Sequence, residues 1–537
     1  MFKTKRTLLI MLVILSLAVS IIGCSNSGKE ESSSAQPAGS ESSSGEKAAS
    51  DNVKAGPAID KDTVVIATAD ETPSLSATGH NAVAGDYVNQ LMYNGLFRLD
   101  NNLNPIPELV KEYTIEEDAN GEKSIWVMTL KEGVKFHDGS VLTSDDVIAT
   151  LLDAKTKPEV RTYTTSVVDV EKVNDLTFKI YTDGASSALL YDLSHHGNMI
   201  RPKALIDAGN DFNTNPIGTG AYKFVEWTRG EELKFTANEE YFDPNRAPKI
   251  KNIVWKIIPE GSSRTIALES GEIDYIIELD STSLDSLKAN PDVSVLEVPS
   301  VSHNWLTVNN EKEPFDNLDV RKALCSAINR ADVITVALNG AGIPAGGQTP
   351  EGLLGFSPEG FDNYDLEAAK AHMAAWGGDP STIKLDIICS NDTKRRAGEV
   401  IQANLKEIGI EANLSSMDLA TYLSETAAGN FTGFIGGYTT NDMVSFLKGV
   451  YHSENINASN KTRTNNPEID ELIGKASKAV DQEERRLILE EASKILNQEA
   501  YQMPLYQNYI ISAHKANLDN TFITAGGSFR VQEWSWK

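Results

Sequence analysis

A change of composition near residue 60 limits what this chain can fold into. From Ser25 to Ala58 it reads SNSGKEESSSAQPAGSESSSGEKAASDNVKAGPA. A run like this has no apolar periodicity, so it cannot bury enough surface to offset the entropy of an ordered backbone. It reads as a flexible tether. From about Asp60 to Lys537 apolar residues return in strand and helix periods. That length exceeds what one simple core holds and requires two or more lobes.

The residues before the tether have a different logic. Lys3, Lys5 and Arg6 precede Leu8 to Ile22, an uncharged run rich in Leu, Ile and Val. The run is shorter than the roughly twenty residues a bilayer span needs. It has the layout of a secretory signal peptide over residues 1–23. Its end, Ile21-Ile22-Gly23-Cys24, resembles the bacterial lipobox, in which the Cys becomes the lipidated first residue of the mature chain. Residues 24–59 then form a lipidated Cys and its tether.

The formal net charge is -27 at pH 7. An acidic surface argues against a nucleic-acid partner, which needs basic patches. Besides Cys24 the chain has only Cys325 and Cys389. The first sits in the helix-like RKALCSAINR and the second ends the strand-like KLDIICS, so buried free thiols are expected rather than a disulfide.

The pattern along the body is α/β. DTVVIATAD (62–70) reads as a strand, and AGDYVNQLMYNGLFRLD as a helix with Val88, Leu91, Met92 and Leu96 on one stripe. VEKVNDLTFKIYT and GAYKFVEWTRGEELKFTAN read as hairpins. From residue 329 to residue 410 helices and strands alternate.

KFHDGSVLTSDDV (135–147) gathers a His, three Asp, a Ser and a Thr, as an active or metal site would. Each polar residue nevertheless has a structural task. Asp138-Gly139 is a turn dipeptide, Ser144 is the expected helix N-cap, and Asp145 and Asp146 suit the helix dipole. A metal site needs convergent ligands, and one His is present. His195-His196, the one adjacent His pair, reads as a surface pair in a loop. No G-x-S-x-G or H-E-x-x-H appears, and GTGAY lacks the third Gly of a dinucleotide loop. No catalytic residue, metal or cofactor is expected.

LKEGVKFHDGSVLTSDDV also resembles a segment of the bacterial extracellular solute-binding proteins of the oligopeptide, dipeptide and nickel class, family 5, which serve ABC importers. PELVKEY (107–113), NPIGTGAYKFVEW (215–227), ALESGEIDYI (267–276) and HNWLTVNNEKEPFDNLDVRKALCSAINR (303–330) are similar to further segments of that family, in the same order. The resemblance implies an α/β fold of the periplasmic-binding-protein kind: two lobes and a hinge closing on a solute. It implies a discontinuous lobe I (60–95, 215–305 and 505–537), an extra domain on it (96–214), and a lobe II (306–504). The partners it implies are an ABC permease, an ATPase reached through it, and the membrane through the lipid. A monomer on the extracytoplasmic face follows.

The resemblance also implies binding residues. DETPSLSATGHNA (70–82) would give one wall, with Thr72, Ser74, His80 and Asn81 as candidates. FIGGYTTNDMVSFL (434–447) would give the other, with Tyr438, Thr439, Asn441 and Asp442. VSHNWLT (301–307) lies where the chain should cross between lobes and adds His303, Asn304 and Trp305; Trp305 can stack on a ligand or pack at the hinge. This chain departs from the family pattern at Thr439, which stands where peptide binders place the Asp that pairs with the ligand's amine. Gly436 replaces the usual Trp and Met443 the usual Pro. A buried ammonium needs a partner, and Asp442 is the nearby substitute. A peptide is the expected solute, with a saccharide, a modified peptide or a nickel chelate as alternatives. A sensory lipoprotein without transport is a further alternative.

Overall fold

The apolar run of Thr63–Thr68 forms a buried central strand. It pairs in parallel with Asn252–Ile257 on one side and Tyr275–Ile276 on the other. The hairpin of Tyr222–Thr228 and Glu232–Ala237 extends this sheet antiparallel. A second group centres on Leu385–Cys389, flanked in parallel by Ala412–Ser416 and Gly433–Tyr438. The computed structural model describes residues 62–537. The expected signal peptide, Cys24 and the tether lie outside the described residues.

Two long strands, Val293–Val308 and Gln502–Lys515, join the two groups into one eleven-stranded sheet. Val293 to Pro299 pairs with Lys515 to Tyr509, beside Tyr275–Ile276. The register then slips between Pro299 and His303. Beyond the slip, His303 to Thr307 pairs with Gln507 to Gln502, and on its other edge with Tyr438 to Phe434. A second shift follows between Asn304 and Trp305, and such irregularities bend and twist a strand.

Each lobe has its own core. One gathers Val64, Ile66, Val88, Leu91, Tyr222 and Trp255. The other gathers Leu306, Val308, Leu385, Ile387, Ile435 and Met503. A third core lies under a four-stranded antiparallel sheet built from residues 110–181, where Trp126, Met128, Phe178 and Ile180 pack on Val147 and Leu151 of the helix Ser144–Thr156. Cys325 and Cys389 are buried free thiols. No helix among the described residues is long and apolar enough to cross a membrane.

The 135–147 stretch is scaffold. Gly139 turns the chain at φ 88°, and Phe136 donates its N–H to the Ser140 carbonyl at 2.8 Å. The His137 ring bonds the Gly220 carbonyl at 3.0 Å, and burial pulls its pKa down to about 4. The N-cap is Thr143, not Ser144: Asp146 accepts the Thr143 N–H at 2.8 Å in a capping box. Ser144 instead donates its hydroxyl to the Asn174 carbonyl at 2.5 Å. The box spacing identifies the right cap, because Thr143 has an acid three residues on and Ser144 has Val147.

Candidate functional site

A cavity of about 460 Å³ opens between the lobes. One wall is the helix Val83–Met92 with the preceding Asn81 and the strand Phe97–Leu99 that follows. The loop Thr439–Asp442, which follows strand Gly433–Tyr438, faces it from the other lobe. Residues from 191–199 of the smaller domain and from 526–532 near the C-terminus complete the enclosure.

The helix Val83–Met92 is held in place by an unusually close backbone approach. A Cβ on Gly220 would lie 2.3 Å from the Met92 carbonyl carbon, and one on Gly218 2.3 Å from the Met92 oxygen. The two glycines of GTGAY therefore serve packing, because only residues without a side chain admit this contact.

Four of the candidate residues meet in the cavity: Asn81, Thr439, Asn441 and Asp442. Asn81 donates from Nδ2 to the Tyr163 hydroxyl at 3.3 Å. Thr72, Ser74 and His80 are buried behind the wall. There the Thr72 hydroxyl donates to the Ser74 carbonyl at 2.8 Å, and the Ala82 N–H donates to His80 Nδ1 at 3.2 Å. His303, Asn304 and Trp305 are buried in the crossing strand and do not line the cavity. His303, Trp305 and Tyr438 all pack around Phe446, and Asn304 Nδ2 donates to Asn508 Oδ1 at 3.1 Å.

Asp442 reaches the cavity with its charge already matched. It caps the helix Met443–Val450, accepting the Ser445 N–H at 2.9 Å and the Ser445 hydroxyl at 2.8 Å. Its other oxygen pairs with the Arg485 guanidinium, which lies over the Tyr191 ring.

The His pair is not on the surface. His196 is buried, and both rings line the cavity. Tyr163, His195, His196 and His80 form a stack, with successive ring centroids 3.4, 4.1 and 4.8 Å apart. Burial and mutual charge push the pKa of His80 down to about 4 and that of His195 to about 2. His196 Nδ1 lies 3.5 Å from Asp86, whose carboxyl is raised by burial against the opposing pull of His196.

Asp192 is a further cavity residue that the sequence reading missed. Its carboxylate accepts the Ser166 hydroxyl and has no basic partner among the described residues; burial, with Asp442 nearby, raises its pKa to about 7. At another part of the wall three guanidiniums, Arg98, Arg246 and Arg530, gather around Glu108 and Glu533. Asp192 and Arg98 sit in segments without a motif, so only their convergence in space marks them.

Comparison with known proteins agrees with this architecture. The family model for bacterial extracellular solute-binding proteins, family 5 (middle), matches residues 104–458. A glutathione-binding protein, GsiB, of Salmonella paratyphi A is 26% identical over 501 residues, covering 90% of this chain and 96% of its own. HbpA2 of Haemophilus parasuis superposes with a TM-score of 0.81 at 24% identity, over 88% of this chain and 100% of that one. DppA of Helicobacter pylori, in complex with the peptide STSA, superposes at 0.67 with 22% identity, over 88% and 98%. The two structures share the two-lobed fold. With most of its length matched by the family model, this chain belongs to the family 5 bacterial extracellular solute-binding proteins, the substrate-binding components of ABC importers.

Proposed function

We propose that this protein captures a short peptide with a free amine, of the glutathione kind, in the cavity between its lobes. The observation that carries this reading is Asp192: a carboxylate facing the cavity with no cation beside it among the described residues. Desolvated carboxylates are unfavourable until a positive charge arrives, so a ligand ammonium gains there what Thr439 cannot supply. Asn81, Thr439 and Asn441 offer neutral hydrogen-bond partners to the peptide backbone. The name of the Salmonella relative supports a small peptide as cargo.

On this reading the solute leaves unchanged, handed to an ABC permease whose ATPase acts indirectly. Thioether-linked lipid on Cys24 and the tether to residue 59 hold a monomeric body at the extracytoplasmic face of the membrane. The lobe boundaries fall at residues 305–306 and 504–505, close to the register slip that follows Pro299, with residues 96–214 as the extra domain on lobe I. A thermal-shift screen of the full chain against short peptides, N-acetylated peptides, oligosaccharides and nickel chelates tests the cargo. A ligand that binds only the folded state raises Tm by mass action. Free-amine peptides should do so, and stabilisation by sugars or chelates alone would remove the peptide from the account.

A further inference from the structure

The second charged region of the cavity has a surplus of positive charge. Arg98, Arg246 and Arg530 all line it, and the carboxylates that oppose them are Glu108 and Glu533. Arg246 takes the strong contacts of both, at 3.2 Å to Glu108 and 3.3 Å to Glu533. Arg530 lies 3.6 Å from Glu533 and donates to the Leu99 carbonyl at 3.4 Å and Asn101 Oδ1 at 3.3 Å. Arg98 is left with a single contact, Nε at 4.0 Å from Glu108. Its two terminal amino groups have no acceptor among the described residues, although its side chain is only 24% exposed.

The arrangement favours an added anion. Three guanidiniums face two carboxylates, and Lys131 and Asp243, which share the cluster, offset each other, so positive charge is in excess by one. A guanidinium is planar, permanently charged and presents a fork that matches a carboxylate in two parallel hydrogen bonds. Burial and the like charges of Arg246 and Arg530 depress the Arg98 pKa, with Glu108 and Glu533 opposing. The group therefore gains from any added negative charge. The cavity wall carries Asp192 as well as this cluster of guanidiniums.

We propose that the Arg98 guanidinium, flanked by Arg530, is the carboxylate-recognising subsite of the cavity, and that the captured solute is a peptide whose free carboxylate docks there. The strand Phe97–Leu99 places Arg98 on the wall, with Phe97 packed inward in the third core. The Arg98 assignment rests on the peptide reading for the identity of the ligand, but the anion preference follows from the charge arrangement alone.

The test is a calorimetric titration of the full chain with three probes: glutathione, its glycyl ethyl ester and glutarate. Each probe is repeated with Arg98→Ala. The wild-type protein should bind the ester at least tenfold more weakly than glutathione, and Arg98→Ala should reduce that ratio to near one. Comparing two ligands on the unaltered protein keeps the test valid even if the variant folds poorly. Equal affinity for acid and ester overturns the carboxylate subsite while leaving peptide capture intact. Binding of glutarate alone, lost in Arg98→Ala, supports the subsite and removes the peptide reading. Absence of binding by all three probes overturns both.

Discussion

Asp442 and Arg485 form an ion pair in which both residues are at most 5% exposed, at the rim of the interlobe cavity. The pair fixes the start of helix Met443–Val450 and ties it to the helix Gln482–Glu499. It also removes Asp442 from the set of acids open to a ligand. Arg485→Ala should cost about 3 to 5 kcal/mol, because it strands a buried carboxylate. The double variant with Asp442→Asn should cost less than the sum of the two single changes. Urea unfolding of the four proteins checks this, and strict additivity would contradict the pairing.

Asp192 should control the pH dependence of binding. Its pKa is raised to about 7 in the folded protein from an ordinary 3.8. The ligand needs the ionised form, so affinity should fall as pH drops below 7, with a limiting slope of about tenfold per pH unit. Asp192→Asn should weaken binding at pH 8 and flatten the profile. In the empty protein the same shift acts the other way. The folded state binds the proton more readily than the unfolded one, so this group favours folding increasingly as pH falls from about 7 toward 3.8. A binding profile that Asp192→Asn leaves unchanged would rule out the role.

The ring stack should make the empty protein sensitive to acid. His80 and His195 take protons near 6.5 when unfolded but only near 4 and 2 when folded. The unfolded state then binds more protons, and stability falls as pH drops from about 6.5 to about 4 for His80, and further for His195. His80→Gln loses the contacts to Ala82 and Asn89 and should lower Tm at pH 7. Its deficit relative to the unaltered protein should narrow at pH 5. A deficit of the same size at both pH values would mean that His80 does not titrate as described.

Two glycines should differ in their tolerance of alanine. At Gly220 a Cβ would meet the Met92 backbone at 2.3 Å, and such overpacking costs about 1 to 3 kcal/mol or more. At Gly139 a Cβ meets nothing within 4 Å, and the cost is that of a left-handed backbone, about 1 to 2 kcal/mol. Gly220→Ala should also weaken ligand binding, because Met92 ends the helix that walls the cavity. Gly139→Ala should leave affinity unchanged.

The elements were largely legible in the sequence, because their periodicity is local. The strand Thr63–Thr68, both hairpins and the Asp138-Gly139 turn follow from runs of a few residues. The cavity was less legible. Asn81, Thr439, Asn441 and Asp442 converge there, but Asp192, the acid proposed to meet the ligand, stands in LLYDLSHHG and carries no pattern. The Arg98 region draws on positions 98, 246 and 530, far apart in the chain. His195-His196 looked like a surface pair because polar rings usually are; the stack with Tyr163 and His80 depends on residues brought together by the fold. His303 and Trp305 show the converse. Their strand joins the two groups of the large sheet, and its pairing on both edges turns these side chains into packing.

The central claim is capture of a free-amine peptide at Asp192, and a calorimetric titration of the full chain with glutathione and N-acetylglutathione tests it most directly. The account predicts saturable one-site binding of glutathione, at least tenfold weaker binding of the acetylated form, and loss of that difference in Asp192→Asn. Equal binding of the two forms by the unaltered protein, or no binding of either, would contradict it.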